Sequence, residues 1–308
     1  MAFILAKLVL NFNKRANFPI FVACNRQFDM EEKPIKRTVL DFDDIASMAP
    51  ALGKHPKLVK ALLHWLNIDK VNDIHSRNCD TPGVEFVERL LRDLDITLRI
   101  DGQEVLDNLP DGAFITVSNH PFGALDGITL IDVIGTRRPE FKVMVNMVLN
   151  RIGGMRPNFI AVDAYASDDP KKKAVSMLGI KEAIRQVRAG KPIGFFPAGA
   201  VTKINKNLRL EDRPWQPNII RLISQLNVPV IPIFFHGSNS ATSHILGLID
   251  WRLRTLRLPT EVFRRKGSTI HVSVGDPISP EEQKRHQGSM EEFGQFLRKS
   301  TYDLKKRK

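Results

Sequence analysis

The chain has 308 residues, 43% of them apolar and 26% charged, with a mean hydropathy of -0.18. This excludes global disorder and leaves room for one large domain, or two small ones, with a sizeable core. No uninterrupted apolar run reaches the roughly 18 residues of a spanning helix. Two cysteines, Cys24 and Cys79, with no CxxC pair, support neither a disulfide framework nor a zinc site, so a reducing compartment fits.

The 46 Lys+Arg against 34 Asp+Glu give a net charge of +12. Such a surface suits an anionic membrane, an acidic carrier protein or nucleic acid. Aromatics are only 7% and no basic stretch is interleaved with them, so base stacking is disfavoured and nucleic acid is the weakest of the three partners.

Residues 1–29 form a basic, apolar N-terminal extension with no acidic side chain before Asp29. Lys7, Lys14 and Arg15 interrupt its apolar residues, and no basic residue precedes Phe3, which argues against a secretory signal. It reads equally as an interfacial amphipathic segment or as an extension ahead of Met30, where ordinary soluble sequence begins. Residues 30–94 read as a helical region, divided by Pro50, Gly53, Pro56, Pro82 and Gly83. Leu58, Val59, Leu62, Leu63 and Leu66 recur at helical spacing. Asp80 or Thr81 is the expected N-cap of a helix running to about Leu94.

From residue 95 to 280 strands alternate with helices. Strands are expected at 96–100, 113–119, 141–146, 159–163, 192–196, 228–235 and 269–278. Helices are expected at 128–135 after a turn over 120–127, at 171–188 closed by Gly190, and at 217–226. The last segment, 281–308, reads as one basic helix ending in Lys305-Lys306-Arg307-Lys308. The pattern is that of an α/β fold on a mostly parallel or mixed sheet flanked by helices, with an N-terminal helical region. There is no internal repeat.

The stretch most informative about chemistry is Asn119-His120-Pro121-Phe122-Gly123-Ala124-Leu125-Asp126-Gly127. A strand delivers His120 to its C-terminal edge, where open α/β sheets place their sites. Asp126 is close enough to bond one imidazole nitrogen, fix the tautomer and leave the other as a general base. The alternative is a turn histidine with Asp126 capping the next helix. Competing chemistries lack their motifs. There is no G-x-S-x-G elbow, no HExxH, and no G-x-x-x-x-G-K-[ST] loop, and the eight histidines are dispersed, which leaves no metal site to assign.

With its neighbours, this stretch resembles the first block of the glycerophospholipid (lysophosphatidate-acyltransferase-like) acyltransferases, Asn-His, four residues, Asp. Here five residues lie between His120 and Asp126, a form similar to the hemolysin-like and aminolipid O-acyltransferase branch. The family's Gly-x-Ile-Phe-Val-Asp-Arg block falls on residues 158–164, where Asp163 is kept and Ala164 replaces Arg. Arg151 and Arg156 lie upstream as substitutes. The FPEGTR block corresponds to Phe196-Pro197-Ala198-Gly199-Ala200-Val201, which loses Glu and Arg. Lys203 and Lys206 follow it. A Val-Pro-x-x-Pro block matches Val228-Pro229-Val230-Ile231-Pro232 and is expected to wall a pocket. Four blocks in order cover about 95–278.

The resemblance implies a peripheral enzyme at the cytoplasmic face of a membrane. It would move a fatty acyl chain from acyl-ACP (acyl carrier protein) or acyl-CoA, a co-substrate rather than a bound cofactor, to a lyso-lipid hydroxyl. His120 and Asp126 would be catalytic. Asn119, Gly123, Phe196, Pro197, Gly199 and Lys203 would line the substrate site, with backbone amides near Gly199 as an oxyanion site. The missing Glu and Arg point to a lyso-aminolipid acceptor of ornithine- or glycine-lipid type. The alternatives are a lysophosphatidate or other lysophospholipid acyltransferase, and a non-catalytic lipid-surface binding protein.

Overall fold

The computed structural model describes residues 35–163, 170–204, 210–249, 254–255 and 257–306, with 170–173 described by backbone only. The 1–29 extension, Ala164, Lys206 and the last two residues of the basic tail lie outside the described residues.

Five helices come first, α1 (Phe42–Met48), α2 (Pro50–Gly53), α3 (Pro56–Trp65), α4 (Ile68–Asn78) and α5 (Val84–Asp93). Asp41 caps α1 through the Asp44 amide in a capping box. Helix α5 is not capped by Asp80 or Thr81 as expected. Its N-cap is Gly83, at φ 97°, while Thr81 bonds the Asn78 carbonyl and Asp80 pairs with Arg37. A positive φ is readily available only to glycine, and here it turns the chain where a side-chain cap was read.

After β1 (Thr97–Asp101) and α6 (Gln103–Asp107) come β2 (Ile115–Ser118), α7 (Ala124–Gly135), β3 (Lys142–Asn146) and β4 (Phe159–Val162). Then follow α8 (Pro170–Arg188), β5 (Ile193–Phe195), and a short hairpin of β6 (Lys203–Ile204) and β7 (Leu210–Glu211). The chain continues through α9 (Pro217–Leu226), β8 (Val230–His236), α10 (Ala241–Ile249), α11 (Leu258–Arg264), β9 (Thr269–Val274), α12 (Pro280–Arg285) and α13 (Met290–Asp303). The single C-terminal helix of the sequence reading is therefore two. Ser289 accepts from the Glu292 amide and starts α13 anew, so local capping overrides the continuous pattern.

Seven strands form one sheet in the order β1-β9-β8-β2-β5-β3-β4. All neighbours are parallel except β8 and β9. Strand β2 is the turning point of the topology, with β5, β3 and β4 on one side and β8, β9 and β1 on the other. Its residues are all buried, as befits a central strand covered on both faces. One face packs Phe86, Val87 and Leu91 of α5 and Leu125, Ile128 and Ile131 of α7 with Ile231 and Phe235. The other packs Ala183 of α8, Ile220 and Ile223 of α9 and Phe293 and Leu297 of α13 against Ile115, Val117, Ile193 and Phe195. Helix α5, from the N-terminal helical region, thus shares the core of the sheet.

Helix α7, which begins one residue after Gly123, also carries Asp132. Burial, with Glu88 on α5 nearby, pushes its carboxyl from 3.8 up to about 6. The folded state therefore holds that proton longer than the unfolded chain. The associated stability is complete below pH 4 and is lost as pH rises through about 6. Discounted for partial exposure, the penalty above pH 7 is about 1 kcal/mol. Asp132→Asn is expected to raise the Tm by about 2–4 °C at pH 8 and to leave it unchanged at pH 3.5, followed by thermal unfolding at the two pH values.

Candidate active site

Strand β2 ends at Ser118, and the next two residues have different tasks. The Asn119 carboxamide is buried and exchanges two hydrogen bonds with the backbone of Phe235 on β8. Its Nδ2 donates to the carbonyl at 2.9 Å and its Oδ1 accepts from the amide at 2.7 Å. Both polar atoms are committed to holding β2 against β8, which makes Asn119 a positioning residue. His120 follows, with 18% of its side chain exposed. Its ring lies 4.4 Å from that of Phe196, tilted by 30°.

Gly123 turns the chain at φ 81° and opens α7. A Cβ there would stand 3.0 Å from Leu258 and 3.2 Å from Val201, so both conformation and space favour glycine. The sequence reading kept Asp126 in a turn. It lies instead in the first turn of α7, where its Oδ2 accepts the amides of Phe122 and Gly123, each at 2.8 Å. His120 Nδ1 stands 2.9 Å from the same oxygen, off the line of an ideal hydrogen bond, and Asp126 Oδ1 has no hydrogen-bond partner. Asp126 is fully buried. Burial pushes its carboxyl upward, while His120 and the two amides pull it down without cancelling the rise.

The Phe196–Val201 turn follows β5, the neighbour of β2. Ala198 and Val201 are buried, and the Thr202 amide donates to the His120 carbonyl at 2.8 Å. Pro197 accepts the Gln216 amide at 2.9 Å. Gly199, at φ 63°, lies so close to Gln216 that a Cβ would be 1.8 Å from its Nε2. The Gly199 amide donates to the Phe196 carbonyl. It is therefore engaged in the turn, and of the backbone amides near Gly199 read as an oxyanion site this one is already committed.

Lys203 is exposed on β6. It lines a 620 Å³ cleft with Asp212, Trp215, Ile220, Gly294 and Arg298, a lining that includes neither His120 nor Asp126. Val230, Ile231 and Pro232 of the last block are buried within the sheet, so they support the strands rather than wall a pocket. Asp163 follows β4, separated from β2 by β5 and β3. Arg151 pairs with Asp44 at 3.4 Å, and Arg156 donates to the Asn150 carbonyl.

Two residues were missed. Asp212 is buried, and its Oδ1 accepts from the Thr202 hydroxyl and, at 3.4 Å, from the His120 amide. Burial pushes its carboxyl upward, against the hydrogen bond from Thr202. Arg254 is buried and donates to the Thr202 carbonyl at 3.3 Å. Neither belongs to a spaced motif. Asp212 reaches the site because the β6–β7 hairpin folds the chain back, which no local periodicity signals.

Together these groups form a strand-edge histidine with a buried carboxylate on one ring nitrogen and an aromatic wall. The arrangement can abstract a proton from a hydroxyl placed at the other nitrogen. Residues 44–308 match the model of a family described as acyltransferase. A lyso-glycine lipid O-acyltransferase of Bacteroides thetaiotaomicron is 28% identical over 254 residues, covering 78% of this chain and 88% of that protein. A lyso-glycine lipid O-acyltransferase of Phocaeicola vulgatus is 25% identical over 258 residues, covering 80% and 87%. The crystal structure of the 1-acyl-sn-glycerophosphate (LPA) acyltransferase PlsC from Thermotoga maritima overlaps in part. The TM-score is 0.44 at 12% identity, over 72% of this chain and 81% of that one.

Proposed function

This chain belongs to the acyltransferase family, and from that membership we propose that it moves a fatty acyl chain from a thioester to the hydroxyl of a lyso-lipid, with a lyso-aminolipid as acceptor. The observation that carries the reading is the 2.9 Å approach of His120 Nδ1 to the buried Asp126 carboxylate. With the Nδ1 proton directed at Asp126, Nε2 presents its lone pair. It takes the acceptor's hydroxyl proton as that oxygen forms a bond to the thioester carbonyl carbon. The tetrahedral intermediate collapses as the C–S bond breaks, and the imidazolium returns the proton to the thiolate. The acceptor is itself the nucleophile, so no acyl-enzyme forms. Asp126 holds the ring and stabilises its positive charge. The donor is acyl-ACP or acyl-CoA, both anionic and suited to a basic protein.

General-base catalysis is worth about 10²–10⁴ in rate. His120→Ala is expected to lower kcat by at least that factor while leaving the unfolding midpoint unchanged. Asp126→Asn keeps an oxygen for the two amides and loses the charge beside His120, so it should lower kcat severely with KM little changed. Wild-type turnover by purified His120→Ala would remove His120 as the base, whereas absence of turnover in the wild-type protein with either acyl donor would favour the lipid-surface binding alternative.

The acceptor follows from what the Phe196–Val201 turn lacks. A phosphate monoester needs fixed cationic donors, which arginine supplies best. Ala198 and Val201 are buried apolar side chains, Val201 against the Gly123 turn, and Arg151 is tied to Asp44. The lyso-glycine lipid O-acyltransferases among its relatives support an acylated amino acid in that place. In parallel assays with one acyl donor, kcat/KM is expected to be higher for a lyso-aminolipid than for lysophosphatidate. The reverse order would return the enzyme to the phospholipid branch.

The same edge supports peripheral attachment at the cytoplasmic face. No helix among the described residues is long and apolar enough to cross a membrane. Val148 follows β3, Leu210 lies in the hairpin after β5, and Ile245, Leu248 and Ile249 lie on α10 after β8. All five are exposed, in segments that follow β3, β5 and β8. Such a patch marks a membrane or partner surface. Anionic vesicles should sediment the protein at low salt, and Leu248→Glu with Ile249→Glu should weaken this at least tenfold. Equal sedimentation of wild type and double variant would reject α10 as the contact.

A further inference from the structure

A second group of side chains lies on the other flank of β2 and has no part in acyl transfer. Strands β8, β9 and β1 are neighbours. Their register sets His236 opposite His271 and Asp101 opposite Ser273. His271 and Ser273 are two residues apart, so alternation puts all four side chains on one face. Directly opposed residues have Cβ atoms about 4.5–5.5 Å apart, close enough for two imidazoles to share a ligand.

The side chains do converge. The rings of His236 and His271 stack with centroids 3.9 Å apart and an interplanar angle of 11°. His271 Nε2 is 2.5 Å from Asp101 Oδ2. The Ser273 hydroxyl donates to that same oxygen at 3.2 Å and lies 2.8 Å from His236 Nε2. One nitrogen of each imidazole and one oxygen of Asp101 all lie within 4.8 Å of one another. The three residues are half-buried, so an ion has an entry path.

We propose that Asp101, His236 and His271 form a binding site for a divalent transition-metal ion of the zinc type, with water completing the coordination. The donor set selects the class. Two imidazoles and a carboxylate suit zinc and its first-row neighbours, whereas calcium and magnesium take oxygen ligands. The distances are compatible. A tetrahedral ion with bonds of about 2.0–2.2 Å holds its ligand atoms about 3.3–3.6 Å apart. Small side-chain rotations reach that spacing from the present one, and the three hydrogen-bonded strands need not move.

The surroundings orient the ligands. Arg99 Nε lies 3.7 Å from the other Asp101 oxygen, Oδ1, and so leaves Oδ2 to face the imidazoles. Ser273 fixes that oxygen from the side, as outer partners of metal ligands do. Burial and the neighbouring His271 depress His236 below its ordinary value, favouring the neutral ring that a metal requires. Arg99 and Lys305 bring positive charge near the cluster, which places the affinity below that of an all-thiolate site. His236 follows Phe235, whose backbone clamps Asn119. A bound ion would therefore brace the sheet beside the active edge without touching the reacting groups.

The test uses the full chain without a histidine tag, stripped with EDTA and titrated with Zn²⁺ and with Co²⁺. One equivalent of zinc should remain after desalting, by elemental analysis. The Tm should rise by about 5 °C at a hundredfold excess over Kd, and Co²⁺ should give the visible absorption of a nitrogen- and oxygen-ligated ion. His271→Ala, His236→Gln and Asp101→Asn should each weaken binding at least tenfold, whereas His55→Ala, at an exposed position, should not. If one of these variants fails to fold, the other two and the wild-type Co²⁺ spectrum decide. Absence of saturable binding at 100 µM Zn²⁺, roughly a 5 kcal/mol interaction at most, or binding that survives both histidine changes, would overturn the site.

Discussion

Asp126 has no exposed side-chain atom, yet a single oxygen accepts two backbone amides and lies 2.9 Å from an imidazole nitrogen. A carboxylate so placed loses hydration that would be worth several kcal/mol, and these contacts offset it only in part. The upward displacement of its carboxyl records the remainder. That remainder is largest while His120 is neutral and smallest once the ring has gained a proton. In the proposed mechanism the pair is therefore better stabilised after proton abstraction than before it, the kind of differential stabilisation that lowers a barrier. The requirement also dictates the local chain path. Both amides can reach one oxygen only if Gly123 adopts a positive φ, and α7 must begin immediately afterwards.

Much of this edge was legible in the sequence, because strands, turns and the Asn119–Asp126 stretch are local features. The strand–helix alternation, the Gly190 helix end and the Phe196–Val201 turn all follow from side-chain pattern and glycine position. What was not legible depends on contacts between distant segments. Asp212 is brought to Thr202 and the His120 amide by a hairpin whose two strands are two residues each. Helix α5 is started by a glycine conformation rather than by a side-chain cap. The imidazole pair needs the antiparallel β8–β9 register, and eight histidines scattered through a sequence give no hint of which two will face each other.

The sheet order explains why the four motif blocks are unequal. Those after β2 and β5 and within β8 come from three adjacent strands, so they form one edge. The block on β4 is two strands further out. Asn119 is the fastener of the central group, since its carboxamide continues the hydrogen bonding between β2 and β8 past the end of β2. Loss of either partner would leave a buried backbone group unsatisfied, typically worth 1–3 kcal/mol. Asn119 thus fixes the position of the neighbouring His120, and its identity is dictated by the sheet.

The turn after β5 is packed by apolar side chains at the positions of Ala198 and Val201. Val201 and Ala198 pack inward, and Val201 lies against the position that a Gly123 side chain would occupy. Thr202 then ties this turn to the His120 carbonyl and, through its hydroxyl, to Asp212. Apolar contact and backbone hydrogen bonds hold the two turns together, and no side-chain charge at those positions takes part. A charged residue placed there would have to leave the packed interface or be buried without a partner, and either would loosen the support beneath His120. On the proposed function, the chemistry of the acceptor and the rigidity of His120 are therefore coupled through the same few side chains.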